Sequence, residues 1–303
     1  MYDVSENAVF GITASGVDFN NDMLTSIPFN KPITGSSNLT LEKAEQLANN
    51  RGAGWHIFNI AAESANQMLE IIEFGTLNGQ TALGKGICDI TTDGNKNQAA
   101  LTGATSGLGN SSGSATTTTF EHDGGQTFTE TANGKTAISY RGMENPWGNT
   151  WNMITGVLIK GNGAQGGGIP YVCTNYNYSY TAPTNNYSSA NFSLPNTSNW
   201  ISSLGYGSKE YDWVLMPVAC DANANSTLPI GDNGWFDSNL NGNRIVVVGG
   251  SWSFGESNGP FYYGCDKLPT DTTYKSYGAR LMFIPTKNTI YNTNITKWEN
   301  TMG

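Results

Sequence analysis

The sequence has few charged residues and no cluster of basic ones. Only 13% of its 303 residues are charged, and 15 Lys and Arg against 24 Asp and Glu give a formal net charge of −9. Proteins that bind nucleic acid neutralise phosphates with clustered Lys and Arg, and anionic membrane surfaces attract the same clusters. The composition therefore predicts no nucleic-acid partner and no attachment to an anionic membrane surface.

Long apolar runs are also missing. Residues 245–248 form one of the longest apolar stretches, which is far short of the ~20 residues that a membrane-spanning helix needs. Residues 1–6 show no basic region followed by an apolar segment, which is the arrangement of a secretory signal. The sequence therefore predicts neither membrane insertion nor a secretory leader.

Cysteine is scarce and widely spaced. The four cysteines are Cys88, Cys173, Cys220 and Cys265, and no two of them form a CxxC pair. This spacing excludes the usual zinc and redox motifs. Two disulfides remain open, but free thiols are favoured for a protein that is made and assembled in a cytoplasm.

Glycine, asparagine, serine, threonine and aromatic residues are abundant instead, which favours strands and long polar loops. Two early segments nevertheless predict helices. One follows Thr40 as N-cap and ends before Gly52, and the other covers residues 61–74 and ends at Gly75.

A polar stretch at 91–135 predicts a long mobile loop. Strands are expected at 8–12, 55–58, 136–140, 151–160, 171–174, 213–219, 244–248 and 279–284. Two helices before a run of strands predict an α+β fold.

Four segments in this order resemble the C-type-lectin-like fold, in the branch that formylglycine-generating-enzyme-like domains share with phage and prophage tail proteins. They are residues 61–75, Glu144-Asn145-Pro146-Trp147-Gly148-Asn149-Thr150-Trp151, Gly249-Gly250-Ser251-Trp252, and Gly278-Ala279-Arg280-Leu281. Residues 49–56 and 139–145 are most similar to gut-phage tail proteins. The resemblance implies a C-type-lectin-like domain at 37–285, with two N-terminal helices, antiparallel strands and long polar loops. An N-terminal arm at 1–36 and a polar tail at 286–303 would flank it.

The resemblance also implies which residues hold the scaffold. Trp151 would point inward at the start of a strand, and Trp252 would be a second core anchor. Arg280 would hydrogen-bond loop carbonyls or a buried carboxylate, for which Glu144 is the best candidate. The scaffold residues expected on this basis are Glu144, Trp147, Asn149, Trp151, Gly250, Trp252 and Arg280.

The residues provide little support for catalysis. Formylglycine-generating relatives rely on reactive cysteines, but Cys265 has no cysteine near it in sequence, and Cys220 would reach it only in three dimensions. His56 lies among apolar neighbours and is expected to be a core residue. His122 lies in the polar stretch, and nothing in the sequence supplies a nucleophile and an orienting acid for either histidine. The sequence therefore predicts that the protein is not an enzyme.

No cofactor is predicted. Sugar-binding C-type lectins hold calcium with Glu-Pro-Asn or Gln-Pro-Asp together with Trp-Asn-Asp, whereas this chain has Glu144-Asn145-Pro146 and no Trp-Asn-Asp. Carboxylates near turns could still bind calcium, and these are Asp221, Asp232 and Asp237. Calcium therefore stays open without being predicted.

Two polar loops rich in tyrosine have the composition of a binding surface, because Tyr, Ser, Gly and Asn dominate antibody paratopes. They lie at 174–200 and 251–277, and the second is flanked by the segments that display the ligand-binding loop in the resembling proteins. The residues expected to contact a ligand are Ser253, Phe254, Tyr262, Tyr263, Tyr274 and Tyr277, with Tyr176, Tyr178 and Tyr180 in a secondary role.

These observations and the resemblance predict a phage or prophage virion protein, at a tail tip, fibre or similar exposed position. Its expected partners are a host cell-surface receptor, either glycan or protein, and other virion proteins. A homo-oligomer is expected, and a trimer is the natural arrangement for such proteins. The alternative is a structural or decoration protein of the virion that uses the fold as a packing module.

Overall fold

The protein is described here from a computed structural model. It describes residues 17–34, 38–90, 98–121, 125–237, 239–271 and 275–285, together with the backbone of residues 8–9. Strands account for 31% of the structure and helices for 15%, and the dominant element is a curled, mixed half-barrel sheet. The predicted α+β class with a C-type-lectin-like arrangement is therefore wrong. The fold is dominated by strands, since many Gly-, Ser- and Tyr-rich segments expected to be loops are strands instead.

The bounds of the helices are set by their capping residues. Helix α1 covers Leu41–Asn49, α2 covers Ile60–Phe74 and α3 covers Gly79–Leu83. The Thr40 hydroxyl accepts a hydrogen bond from the backbone N–H of Lys43 and so satisfies one free donor of the first turn of α1. Helix α2 ends at Gly75, whose φ of 65° is the left-handed conformation that favours glycine.

The described residues contain eighteen short or medium strands. The first eight are β1 Ala8–Val9, β2 Met23–Leu24, β3 Trp55–Ile57, β4 Gly113–Ser114, β5 Thr118–Glu121, β6 Thr127–Glu130, β7 Ile138–Tyr140 and β8 Met143–Glu144. The next five are β9 Trp151–Lys160, β10 Ile169–Cys173, β11 Tyr187–Ser189, β12 Asn199–Tyr206 and β13 Leu215–Cys220. The last five are β14 Asn233–Trp235, β15 Asn243–Val248, β16 Tyr263–Lys267, β17 Tyr277–Gly278 and β18 Leu281–Phe283.

Nine of these strands form the main sheet, in the order β11-β10-β9-β15-β16-β14-β12-β13, with β17 added beside β9. Most neighbours are antiparallel, but β14 pairs with β16 in parallel and β17 pairs with β9 in parallel. The smaller sheets are β1-β2, β18-β3, β4-β7-β8 and the hairpin β5-β6. The sheet is therefore mixed, whereas the sequence analysis predicted antiparallel strands.

Apolar side chains cover both faces of the main sheet. Strand β9 is buried over nine of its ten residues, which is typical of a strand covered on both sides. One core cluster joins β9 and β15 to helix α1, and a second joins the same strands to the start of α2. Leu24 and Ile33, from the predicted N-terminal arm, belong to the first cluster. The predicted tail at 286–303 lies outside the described residues.

Two predicted loops contain strands. Strand β16 lies inside the segment 251–277 and pairs with β15 on one side and β14 on the other. The polar stretch 91–135 contains the hairpin β5-β6, in which Phe120 and Phe128 stack with ring centroids 5.0 Å apart. Backbone pairing in both segments satisfies polar groups that a loop would expose to water.

Close backbone contacts fix the segments that carry the scaffold residues. Trp147 is fully buried, and its indole N–H donates to the carbonyl oxygen of Lys85 over 3.2 Å. The Asn149 side chain accepts from the N–H of Ala100 over 2.8 Å.

Trp252 is buried at 6% exposure, and its own N–H donates to the carbonyl of Asn149 over 3.0 Å. Gly250 has φ of 77°, and a Cβ there would collide with the Asn258 side chain.

Glu144 anchors a neighbouring loop rather than Arg280. Its carboxylate accepts from the N–H of Gly103 over 2.9 Å and from both the N–H and the hydroxyl of Thr105, over 2.8 and 2.7 Å. Arg280 donates through Nη2 to the carbonyl oxygen of Asn145 over 2.9 Å. Burial lowers the pKa of the Arg280 guanidinium, and the nearby carboxylates of Glu144 and Glu63 oppose this shift.

We expect Glu144→Gln to lower the free energy of unfolding by about 2 kcal/mol, because hydrogen bonds to a charged acceptor each contribute about 1.5–3 kcal/mol. A glutamine amide has one acceptor oxygen, so one N–H of the 103–105 loop loses its partner. Urea unfolding followed by circular dichroism measures the change. Glu256→Gln is the matched control, since the side chain of Glu256 is 60% exposed. Equal midpoints for the two variants would contradict the anchoring role.

Candidate functional site: an aromatic cleft on the main sheet

Most tyrosines that the sequence proposed as contact residues in 251–277 are buried. Tyr262 is 1% exposed, Tyr263 is fully buried and Tyr277 is 5% exposed. The hydroxyl of Tyr263 donates to the carbonyl of Leu215 over 3.0 Å and accepts from Gln67 over 3.1 Å. Tyr262 and Tyr263 are therefore not exposed contact residues, because the pairing of β16 with β15 and β14 draws them into the core. Tyr277 is also buried, but it lines the cleft described below. Tyr274 lies outside the described residues.

Two other residues of this segment remain accessible. Ser253 is exposed and Phe254 is half-buried. The Phe254 ring lies edge-on to Trp151 and to Tyr262, with centroids 5.8 and 5.9 Å apart. The Phe254 ring therefore packs against two buried aromatic rings and is itself partly exposed to solvent.

The second predicted loop contributes one exposed ring. Tyr176 is 46% exposed, whereas Tyr178 and Tyr180 are half-buried. The Tyr178 hydroxyl accepts a hydrogen bond from the side chain of Asn59 over 3.0 Å, and burial raises the pKa of that hydroxyl. The His56 ring, which stacks near Tyr176, has its Nδ1 2.6 Å from the carboxylate of Glu45. This loop is therefore held to the body of the protein through His56 and Asn59.

A cleft of about 170 Å³ opens beside β16, and six of its nine lining residues come from 251–277. Its lining residues are Trp151, Trp235, Val247, Phe254, Gly264, Asp266, Lys267, Ser276 and Tyr277. Two of the proposed contact residues, Phe254 and Tyr277, are therefore part of one site. Ser253, Tyr262 and Tyr263 do not line this cleft.

The parallel pairing of β14 with β16 places Trp235 at the cleft. Trp235 lies opposite Gly264 in the register, and the residue is 43% exposed. Its indole N–H donates to the hydroxyl oxygen of Tyr262, and its ring lies edge-on to Phe254 with centroids 6.4 Å apart. The exposed ring is therefore held in one orientation by groups at two of its edges.

Gly264 keeps the floor of the cleft open. A Cβ at this position would lie 2.7 Å from a methyl carbon of Val247 and 3.6 Å from the Trp151 ring. Any larger residue would push against these side chains and occupy part of the space. The absence of a side chain at Gly264 thus lets Trp151 form the base of the cleft.

The remaining wall is polar. The Lys267 ammonium lies 2.8 Å from Oδ2 of Asp266, and Ser276 lines the cleft near them. The other carboxylate oxygen of Asp266, Oδ1, is buried and has no hydrogen-bond partner among the described residues. That oxygen is enclosed by protein, whereas the Asp266 side chain as a whole is 27% exposed, so a ligand can reach only the other part of the side chain.

The thiols lack the environment of a reactive cysteine. All four cysteines are free. Burial raises the pKa of Cys88 to about 12 and of Cys220 to about 11, and it raises the pKa of Cys173 and Cys265 as well. Catalytic thiols need a lowered pKa, because the thiolate is the nucleophile. The described residues contain no group of three or more His, Cys, Asp or Glu arranged to hold a metal ion.

A cluster of buried acids lies between α2 and the main sheet. Burial raises the pKa of both Glu63 and Glu70 to about 8. It also raises the pKa of Asp232 well above its usual range, although Oδ2 of Asp232 accepts from the N–H of Phe261 over 2.7 Å. The calcium alternative that included Asp232 is therefore not supported at this position, because the carboxyl is buried in the core and burial disfavours its charged form.

Trp235, Asp266 and Lys267 were not proposed as contact residues on the basis of the sequence. Trp235 follows Asn233 and Gly234, which resemble a turn, and the short strand they form has no alternating pattern of its own. One feature could have drawn attention to it. A tryptophan in a polar, glycine-rich segment has few local apolar neighbours to pack against, which favours an exposed or half-exposed ring.

No protein-family model matches this chain, and comparison with curated proteins finds no match. None of the helices in the described part of the chain has the length and apolar character needed to cross a bilayer. The function is therefore argued from the cleft and from the resemblance of the sequence segments.

Proposed function

We propose that the protein is a phage or prophage virion surface protein, at a tail tip, fibre or similar position, that binds a receptor on the host cell through the aromatic cleft. The observation that carries this proposal is the exposed ring of Trp235 above a cleft lined largely by residues 251–277. Concave sites with apolar walls and a few polar groups are the usual form of ligand sites.

The aromatic character of the cleft supports recognition rather than catalysis. Large aromatic rings provide contact area at a small cost in conformational entropy. The Trp151 ring, which lines the cleft, packs against the buried Tyr262 ring with centroids 4.5 Å apart. We assign the protein no catalytic role and no cofactor, since its thiols have raised pKa values and His56 is held by Glu45.

Adsorption would depend on several copies of the chain. A cleft of this size provides a weak single site, and presentation of several sites on one particle converts weak binding into strong attachment. The expected partners are therefore a host receptor, other virion proteins and further copies of this chain, with a trimer as the arrangement we propose. Neither nucleic acid nor membrane insertion is part of this function, which takes place on the virion.

A structural or decoration role is the second candidate, and one observation favours it. Leu69 and Ile72 on α2 are 41% and 79% exposed, and their spacing of three residues places them on one face of the helix. Exposed apolar residues on one face commonly mark a contact with another protein. In this alternative the α2 face packs against another virion chain and the cleft has no ligand.

We expect Trp235→Ala to weaken the binding of purified protein to host cells at least tenfold, because the variant loses the exposed platform of the cleft. Cell-associated protein measured over a concentration series gives the change. Tyr206→Ala is the matched control, since Tyr206 is 62% exposed at the far end of β12 and its loss should leave binding unchanged. Tyr262 and Tyr263 are unsuitable for this test, because their removal would damage the core.

Two outcomes would contradict the receptor proposal. If the wild-type protein binds no candidate host cell while it assembles into the particle, the structural role is correct. If Trp235→Ala binds as well as the wild type, the cleft is not the contact surface. In the first case a Leu69→Ser and Ile72→Ser double variant should fail to assemble.

A further inference from the structure

We infer that the cleft binds one pyranose ring of a neutral glycan, without calcium, by stacking the ring on Trp235. This inference rests on the proposed receptor-binding function and names the chemical class of the receptor. It depends on three features of the cleft: an exposed and oriented aromatic face, an adjacent polar wall that is electrically neutral, and a volume that suits one ring.

The aromatic face suits a sugar. One face of a pyranose ring presents C–H groups, while its hydroxyls point outward from the rim. The C–H face packs on the negative face of an aromatic ring, which attracts weakly positive hydrogens. Trp235 is already oriented by its hydrogen bond to Tyr262 and its contact with Phe254. A ligand therefore loses little free energy in ordering the platform.

The polar wall provides partners for the hydroxyls at the rim of the sugar. The side chains of Asp266 and Lys267 are 27% and 20% exposed, and Ser276 lines the same wall. A sugar hydroxyl is both a donor and an acceptor, so it can pair with the carboxylate or with the ammonium. A purely apolar ligand would cover these polar groups without providing a hydrogen bond.

The charge of the wall favours a neutral ligand over an acidic one. Asp266 and Lys267 are paired over 2.8 Å, so their charges largely cancel within the cleft. The whole chain carries a formal net charge of −9, which repels anionic glycans at long range. The paired wall would therefore not increase the affinity for an acidic sugar, and the negative net charge of the protein would lower it.

The size of the cleft limits the ligand to one ring. Its volume of about 170 Å³ is below the ~300 Å³ at which pockets for drug-sized ligands begin. One sugar unit of a longer chain fits this description, with the rest of the glycan outside. The single-site affinity is then weak, in agreement with a protein that binds through several copies.

The test uses purified full-length protein and an array of immobilised oligosaccharides that end in glucose, galactose, mannose, N-acetylglucosamine or sialic acid. We expect binding to at least one neutral group, resistance to EDTA, and a loss of at least tenfold in Trp235→Ala. Asp266→Asn should weaken binding several-fold, whereas Tyr206→Ala should not change it. Circular dichroism at the assay temperature establishes that each variant is folded.

Host cells treated with periodate or with protease separate the two proposals. If cell binding survives periodate and is lost after protease, the receptor is a protein and the glycan inference is wrong, while the receptor function stands. If the untreated cells are not bound at all, the receptor function fails as well. Sensitivity to EDTA, a preference for sialylated groups or full binding by Trp235→Ala would each overturn the inference.

Discussion

Replacing Trp151 by alanine will lower the free energy of unfolding by about 3–5 kcal/mol. Trp151 begins β9, the central strand, and is only 3% exposed. Its ring contacts three other aromatic rings, those of Tyr262, Phe254 and Tyr277, with centroids 4.5, 5.8 and 6.4 Å apart. Removal of the indole leaves a large cavity that the rigid sheet around it cannot close.

Urea unfolding followed by far-ultraviolet circular dichroism measures this loss, through the midpoint and the slope of the transition. Trp235→Ala is the matched control, because it removes the same side chain from a position that is 43% exposed. The control should cost much less stability, because the Trp235 side chain is less buried than that of Trp151. The packing argument is wrong if both variants lose equal stability, or if Trp151→Ala unfolds at the wild-type midpoint.

The second large effect is a fall in stability as the pH rises from 5 to 8. The pKa of Glu63 and of Glu70 is about 8 in the folded protein, against an ordinary value of 4.5. Burial is the main cause in both cases, and the charge of Glu63 adds to the shift at Glu70. Above pH 4.5 the unfolded chain releases these protons whereas the folded protein retains them.

The stabilisation from these two groups is therefore complete below pH 4.5 and is lost progressively as the pH rises toward 8. Each group makes the free energy of unfolding fall as the pH rises through this interval, because the unfolded chain binds fewer protons than the folded protein. Asp232, whose pKa is also raised, acts in the same direction. We expect the urea midpoint of the wild type to be clearly lower at pH 8 than at pH 5.

Glu70→Gln should reduce this fall and should be more stable than the wild type at pH 8, because an amide in the core does not ionise. Glu73→Gln is the control on the same helix. Glu73 is exposed, and the hydrogen bond from Arg141 lowers the pKa of its carboxyl group. The ionised carboxylate therefore stabilises the folded protein above the ordinary pKa of glutamate, and this stabilisation is lost only in acid. A wild-type midpoint that rises from pH 5 to 8 would contradict the prediction.

Local features of the sequence were sufficient to locate the first two helices and several strands. Thr40 and Gly75 are a helix N-cap and a helix C-cap in the structure, as their side chains and backbone freedom predict. Strand β9 extends over the predicted residues 151–160, and β15 differs from its prediction by one residue. These elements depend on interactions within a few neighbouring residues or on short apolar segments, and both can be recognised in the sequence.

The fold class and the exposure of individual tyrosines were not predictable in this way. Residues 263–267 lack a clear alternation of apolar and polar residues, so nothing local shows that they form a strand between β15 and β14. In a strand, a shift of one residue moves a side chain to the opposite face. The burial of Tyr262 and Tyr263 therefore depends on partners that are distant in sequence.

The sequence alone determined the types of residue available for recognition, the low charge and the positions of the helix caps, because composition and local hydrogen bonding are properties of short segments. Only the tertiary structure decided that Trp235 is 43% exposed whereas Tyr262 is buried. The reason is physical: both residues carry aromatic rings in polar, glycine-containing segments, and the parallel pairing of β14 with β16 buries one and exposes the other.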